Sequence, residues 1–231
     1  MNKKSLLLAG VAAFALTSAA TAADLMVEAP PAMVYDEPAP AGNWDGPYIG
    51  AFGGWGWGIA DHIPDGGPCA PDGCDVLMDG WLAGVVVGAN FTLSDNIVGG
   101  VAADIAWSGM TGTDTFGFIG DSTNSVDWEG SLRGVLGYDG GTFMPYLTAG
   151  LAVASASHTS DFVAPTTATA MHLGGTVGAG VQVAVAENVA LDLQYRASFY
   201  NDQVYDVGAG PFNPVFALHT HRITAGINVG F

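Results

Sequence analysis

Apolar and polar side chains alternate along whole segments of this chain, and that constrains the fold more than any other feature. In 97–110 the odd positions carry Ile97, Val101, Ala103, Ile105 and Trp107, and the even ones include Asp104 and Ser108. In 126–138 the apolar set is Val126, Trp128, Leu132, Leu136 and Tyr138, opposed by Asp127, Glu129, Ser131 and Arg133. In 189–199 Val189, Leu191, Leu193, Tyr195 and Phe199 oppose Asp192, Gln194, Arg196 and Ser198. A repeat of two puts successive side chains on opposite faces of a strand, so each strand lies between two environments.

The same reading gives eight strands near 48–59, 80–92, 97–110, 126–138, 143–156, 170–184, 189–199 and 216–231. Each is long enough to cross a bilayer at a tilt, which takes about 9–11 residues. The connections alternate in length. Those at 92–96, 139–142 and 185–188 are short and rich in Asp, Asn and Gly, whereas 60–79, 111–125, 157–169 and 200–215 are long. The expected fold is therefore all-β: an eight-stranded antiparallel transmembrane up-and-down β-barrel with short periplasmic turns and long extracellular loops. Charge-free runs at 140–160 and 162–186 could suggest helical spans. They contain Pro145, Pro165, several glycines and frequent Ser and Thr, which oppose that reading.

The beginning of the chain reads as a targeting segment. Lys3 and Lys4 precede an apolar stretch at 6–16, and Ala20-Thr21-Ala22 has the form of a cleavage site, so 1–22 is expected to be a secretory signal peptide. Residues 23–43, broken by prolines, read as a flexible lead segment, and 44–231 as the barrel domain. Cleavage would remove both lysines and take the formal charge from −17 to −19, leaving Arg133, Arg196 and Arg222 as the only cations apart from histidine. A chain so acidic lacks the cationic footprint that nucleic-acid binding needs. In an exported protein Cys69 and Cys74, close together in a Gly/Pro/Asp segment, are expected to form a local disulfide.

With the apolar parity assigned to lipid, all three arginines face inward, together with Asp104, Asp127, Glu129 and Asp192. An eight-stranded barrel has an interior just wide enough for side chains to fill, and charges buried there must be paired. Glu129 and Arg133 are four residues apart on one inward row, as are Asp192 and Arg196 on another. The expectation is a polar plug of ion pairs made by Asp104, Asp127, Glu129, Arg133, Asp192, Arg196 and Arg222. Trp55, Trp57, Trp81, Trp107, Trp128, Phe143, Tyr195 and Phe231 fall on the lipid parity, as girdle residues should. Tyr48, Phe52 and Tyr146 fall inward as packing.

Particular segments carry a family resemblance. They are 44–50 (WDGPYIG), 127–138 (DWEGSLRGVLGY), Pro145-Tyr146, 176–180 (TVGAG), the run from Asn188 through Arg196, and the ending 220–231 (THRITAGINVGF). In order and spacing the chain resembles the outer-membrane immunogenic protein family of alphaproteobacteria, a porin-like group of OmpA-type eight-stranded barrels. The resemblance covers Trp44 to the C-terminus. It implies that Ile227, Val229 and Phe231 form a C-terminal signal read by the barrel-assembly machinery, with periplasmic chaperones as partners during biogenesis. Val229 stands where the family often has Tyr, and Thr224 where it often has a basic residue. The two-cysteine loop is not a family feature.

The expected function is non-enzymatic: a structural, surface-exposed outer-membrane protein contributing to envelope integrity, expected to be a monomer, set among outer-membrane lipid and lipopolysaccharide. No catalytic residue, cofactor or metal site is assigned. His172, His219, His221, Ser155, Ser157, Ser198 and Asp202 gather near the outer rim, but no spacing among them marks a triad. The alternatives are a small-solute porin, haem capture through His62 or His158, and divalent-cation binding by loops that carry ten aspartates, from Asp61 to Asp206, and no Lys or Arg.

Overall fold

The structure, a computed structural model, describes residues 44–62, 75–115, 121–161, 165–206, 213 and 215–231. The expected signal peptide, the lead segment up to Asn43 and both cysteines of the expected disulfide lie outside the described residues.

The described residues form nine strands: β1 (Gly46–His62), β2 (Asp75–Ser94), β3 (Ile97–Thr115), β4 (Asp121–Tyr138), β5 (Phe143–Ser160), β6 (Thr166–Ala186), β7 (Val189–Tyr200), β8 (Gln203–Val204) and β9 (Val215–Gly230). Every pairing is antiparallel. Neighbours follow chain order from β1 to β7, then β9, and β9 pairs back to β1, which closes a ring of eight. The two-residue β8 adds to the outer edge of β9. Closure matters physically, because in lipid an open sheet edge would leave backbone donors and acceptors without partners.

The turn-end boundaries lie within two residues of where the sequence places them, whereas at the loop end β1 to β6 run three to five residues further and β7 and β9 agree to within one. β6 runs for 21 residues and β2 for 20, well beyond what a bilayer crossing needs. At the turn end, Gly141 takes a left-handed φ of 81° and donates its N–H to Asp139 Oδ1 at 2.8 Å, which fixes the β4–β5 turn.

Outward residues form the lipid-facing surface. Leu132, Leu136, Leu147, Leu151, Val101 and Ile227 are all more than two-fifths exposed. Trp55 and Trp81 are directly opposite each other on β1 and β2, and so are Trp107 and Trp128 on β3 and β4. Trp57, His221 and Tyr195 stack along the outside of β1, β9 and β7. Phe231 is 81% exposed, and its N–H donates to Pro47 O at 3.0 Å across the closure.

Inside, the barrel is layered. At the turn end Trp44, Val98, Met144, Ala184 and Ala190 form an apolar cluster. Trp44 is held there by its indole N–H, which donates to Asp139 Oδ1 at 3.1 Å. At the loop end a larger apolar cluster includes Val76, Met78, Met110, Val126, Tyr205 and Leu218. The charged residues lie between the two.

Candidate functional site

Asp104 on β3 is the centre of the charged layer. Its side chain is fully buried, and all three arginines reach it: Arg133 at 2.9 Å, Arg196 at 2.8 Å and Arg222 at 2.6 Å. Arg196 makes a second bond to the other carboxylate oxygen at 3.1 Å, and Ser131 Oγ also donates to Asp104. A carboxylate offers about four acceptor sites, so this one is saturated. Arg196 and Arg222 are cross-strand partners on β7 and β9. Two like charges directly opposite repel, and here one carboxylate from another part of the ring lies between them.

The network extends both ways from this centre. Arg222 lies 3.5 Å from Glu129, which also accepts from Tyr200 Oη at 3.1 Å and Thr220 Oγ1 at 2.8 Å. On the other side Arg133 donates to Gln194 Oε1 at 3.1 Å. Gln194 donates to Tyr146 Oη at 2.8 Å, and Tyr146 donates to Asp192 Oδ1 at 2.8 Å. The Tyr146 ring lies over Gly180, where a Cβ would sit 2.5 Å from its hydroxyl oxygen, so a larger residue on β6 would displace the relay. The Arg222 guanidinium stacks 5.3 Å from the Phe52 ring centre. On the turn side of the layer a cavity of about 30 Å³ borders Arg133, Tyr146 and Asp192, room for about two waters.

Six of the seven residues singled out in sequence thus join one network: Asp104, Glu129, Arg133, Asp192, Arg196 and Arg222. Asp127 does not. It is exposed and accepts from Ser157 Oγ at 2.8 Å. A β-bulge is the reason: β4 pairs Val126 with Ala156 and Trp128 with Ser155, so Asp127 is skipped in the register with β5. The same bulge turns Val126 inward, 1% exposed, against the expectation that it faces lipid. The pairing geometry also differs from the spacing of four. Residues four apart on a strand are about 13 Å apart, too far to touch, so the ion pairs run around and across the barrel instead. Tyr146 is a link in the network and not only packing. Ser131, Gln194, Tyr200 and Thr220 complete it; inward parity was the only sequence signal for three of them, and Tyr200 fell in the expected loop 200–215.

Other candidates lie elsewhere. His158 is not on a loop surface: it is 4% exposed inside the barrel, with Nδ1 2.9 Å from Asn124 Oδ1. The side chain of His62 lies outside the described residues. His172 is fully buried, with Nδ1 3.0 Å from the carbonyl of Asn201 and Nε2 2.7 Å from Tyr205 Oη. A carbonyl only accepts, so Nδ1 carries the proton and Nε2 accepts from the phenol. Burial pushes the Tyr205 phenol well above its ordinary value, with the charge of Asp127 adding to the effect. Asp79, Asp121, Asp161, Asp202 and Asp206 are exposed at the loop end.

A closed ring of eight long antiparallel strands, with an apolar exterior and a polar layer within, is the architecture of an outer-membrane barrel. The family model of the outer membrane protein beta-barrel domain matches residues 8–231. The chain belongs to that family. It is 31% identical to the 25 kDa outer-membrane immunogenic protein of Brucella canis over 232 aligned residues, covering 99% of this chain and 98% of that protein. It is 33% identical to a 22 kDa outer membrane protein of Rhizobium leguminosarum bv. viciae, covering 81% of this chain and 79% of that one. Among solved structures, Neisserial surface protein A aligns with a TM-score of 0.45 at 17% identity, covering 80% of this chain and 97% of that chain. The outer-membrane barrel protein described here is thus a member of the immunogenic-protein group that its sequence resembles.

Proposed function

We propose that this outer-membrane protein is a closed surface scaffold, stabilised and sealed by its charged interior, and not a solute pore. One observation carries the reading: three guanidiniums from β4, β7 and β9 converge on one carboxylate from β3 within the barrel lumen. A porin lumen is open to water, whereas an eight-stranded lumen is narrow enough for side chains to occupy. The apolar clusters on either side of the layer support the same reading.

In this reading the long loops stand outside the cell, in keeping with the name immunogenic protein borne by the relatives, and the scaffold contributes to envelope integrity. Ile227, Val229 and Phe231 serve as the assembly signal. Ile227 and Val229 on β9 and exposed Phe231 just beyond its end leave that signal accessible. The partners are lipid, lipopolysaccharide and, during biogenesis, the assembly machinery and its chaperones; the barrel works as a monomer.

Two measurements test the proposal. Liposomes carrying the purified barrel should not swell in isotonic solutions of small sugars, and swelling as fast as with an open porin would refute the sealed lumen. A cysteine placed at Asp202 should react with a membrane-impermeant maleimide on intact cells. Reaction only after lysis would overturn the orientation.

A further inference from the structure

Above the lipid-facing belt, the outside of β3–β6 carries hydroxyl side chains in register. Thr113 pairs with Thr123, Thr123 with Thr159, and Thr159 with Thr167, which makes one row across four strands. Two residues nearer the membrane, Thr111 pairs with Ser125, Ser125 with Ser157, and Ser157 with Thr169, which makes a second. The intervening Asn124 and His158 are buried inside, so both rows point outward. Hydroxyls bond across the strands at 3.0 Å for Thr113 and Thr123 and at 2.9 Å for Thr159 and Thr167. Strand spacing sets about 4.8 Å between columns and about 6.8 Å between rows.

The position of this face narrows what can occupy it. On β4 the outward residues run from Tyr138 to Trp128. At a tilt of about 40° that distance is roughly 25 Å in height, the height of an outer-membrane apolar band. The hydroxyl rows begin just beyond Trp107 and Trp128 and continue the same sheet surface outward, so the face is continuous with the lipid interface. Phospholipid headgroups fill only about 5–8 Å beyond the hydrocarbon, too thin a layer to cover both rows. Neither row contains a cation, and Asp127 lies beside them, so phosphate is disfavoured. Sugar hydroxyls both donate and accept, as Thr and Ser do.

We infer that the hydroxyl-bearing outer face of β3–β6 binds the carbohydrate of lipopolysaccharide in the outer leaflet. The inference rests on the loops facing outward, as in the scaffold reading. The face holds the saccharide by neutral hydrogen bonds, and the Trp107–Trp128 pair marks its lower limit. Exposed Asp121 and Asp161 stand above it.

The test uses the full chain refolded in three kinds of vesicle: phospholipid alone, phospholipid with lipid A, and phospholipid with lipopolysaccharide that retains its core saccharide. The wild type should unfold at least about 2 °C higher with the core saccharide than with lipid A alone, a shift readily read for a chain of this size. The variant T113V/T123V/T159V/T167V keeps the β-branched shape and removes one row of hydroxyls. It should match the wild type in phospholipid and lose most of the saccharide-dependent gain. If it does not fold, T113V/T167V carries the test and should lose part of the gain. A wild type that gains nothing beyond lipid A, or valine variants that keep the whole gain, would overturn the inference. So would variants that instead lose a crosslink between copies in phospholipid alone, since the face would then be a protein–protein contact. Lipopolysaccharide is present in both leaflets of such vesicles, so a wrong orientation would appear in the maleimide labelling and not here.

Discussion

Asp104 balances more charge than any other residue in the barrel, and its substitution should therefore be the most damaging. Asp104→Asn would leave three buried guanidiniums, two of them on cross-strand positions, with Glu129 beside Arg222 left to offset them. Breaking a buried pair in this way costs about 3–5 kcal/mol. Urea unfolding in vesicles should show a loss of that order. Asp127→Asn provides the contrast. Its carboxylate is exposed and takes one serine hydroxyl, so the change should stay within about 0.5 kcal/mol. Equal effects of the two would mean that the network adds nothing to stability. At this scale the inward parity of the arginines, Asp104, Glu129 and Asp192 was legible in the sequence, because a strand has only two faces. Asp127 was not legible. The run Val126-Asp127-Trp128-Glu129 alternates without a break, and the irregularity shows only in the pairing with β3 and β5, where Asp127 is skipped in both registers. Which acid meets which arginine was also hidden, since Arg196 and Arg222 reach Asp104 from strands distant in sequence.

Among the elements, β8 and Tyr205 tie the segment after β7 back onto the barrel. The Tyr205 phenol donates to buried His172 on β6, and its ring packs on Phe216 of β9. Tyr205→Phe keeps the ring and removes the bond, leaving a buried ring nitrogen without its donor, at a cost of about 1–3 kcal/mol. Limited proteolysis should cut near 200–206 faster in this variant, with the barrel remaining intact. No change in cutting would mean that packing alone holds the segment. The bond also has a pH dependence. Burial raises the phenol's folded value above its ordinary 10.0, so its contribution is complete below pH 10 and declines as pH rises beyond it. Tyr205→Phe should lack this alkaline decline. The turn ends of the strands were legible from Gly, Asp and Asn. The loop ends were not, because above the membrane neither face must be apolar. There Thr and Ser replace the alternating pattern, while backbone hydrogen bonds continue the hairpins regardless.

For the molecule as a whole, the count of eight follows from segment length and alternating connections, and lipid outside with charge inside follows from parity. The layering of the interior does not follow. Trp44 precedes the first strand yet plugs the turn end, and Val126 joins the outer apolar cluster only through the bulge. Apart from the small cavity beside Arg133, Tyr146 and Asp192, these layers place side chains along the lumen, and the sealed-scaffold proposal rests on that. The most direct test is single-channel recording of the purified, folded barrel in a planar lipid bilayer. A sealed lumen should give no sustained conductance in the wild type. Stable, long-lived open channels in most insertions would contradict it.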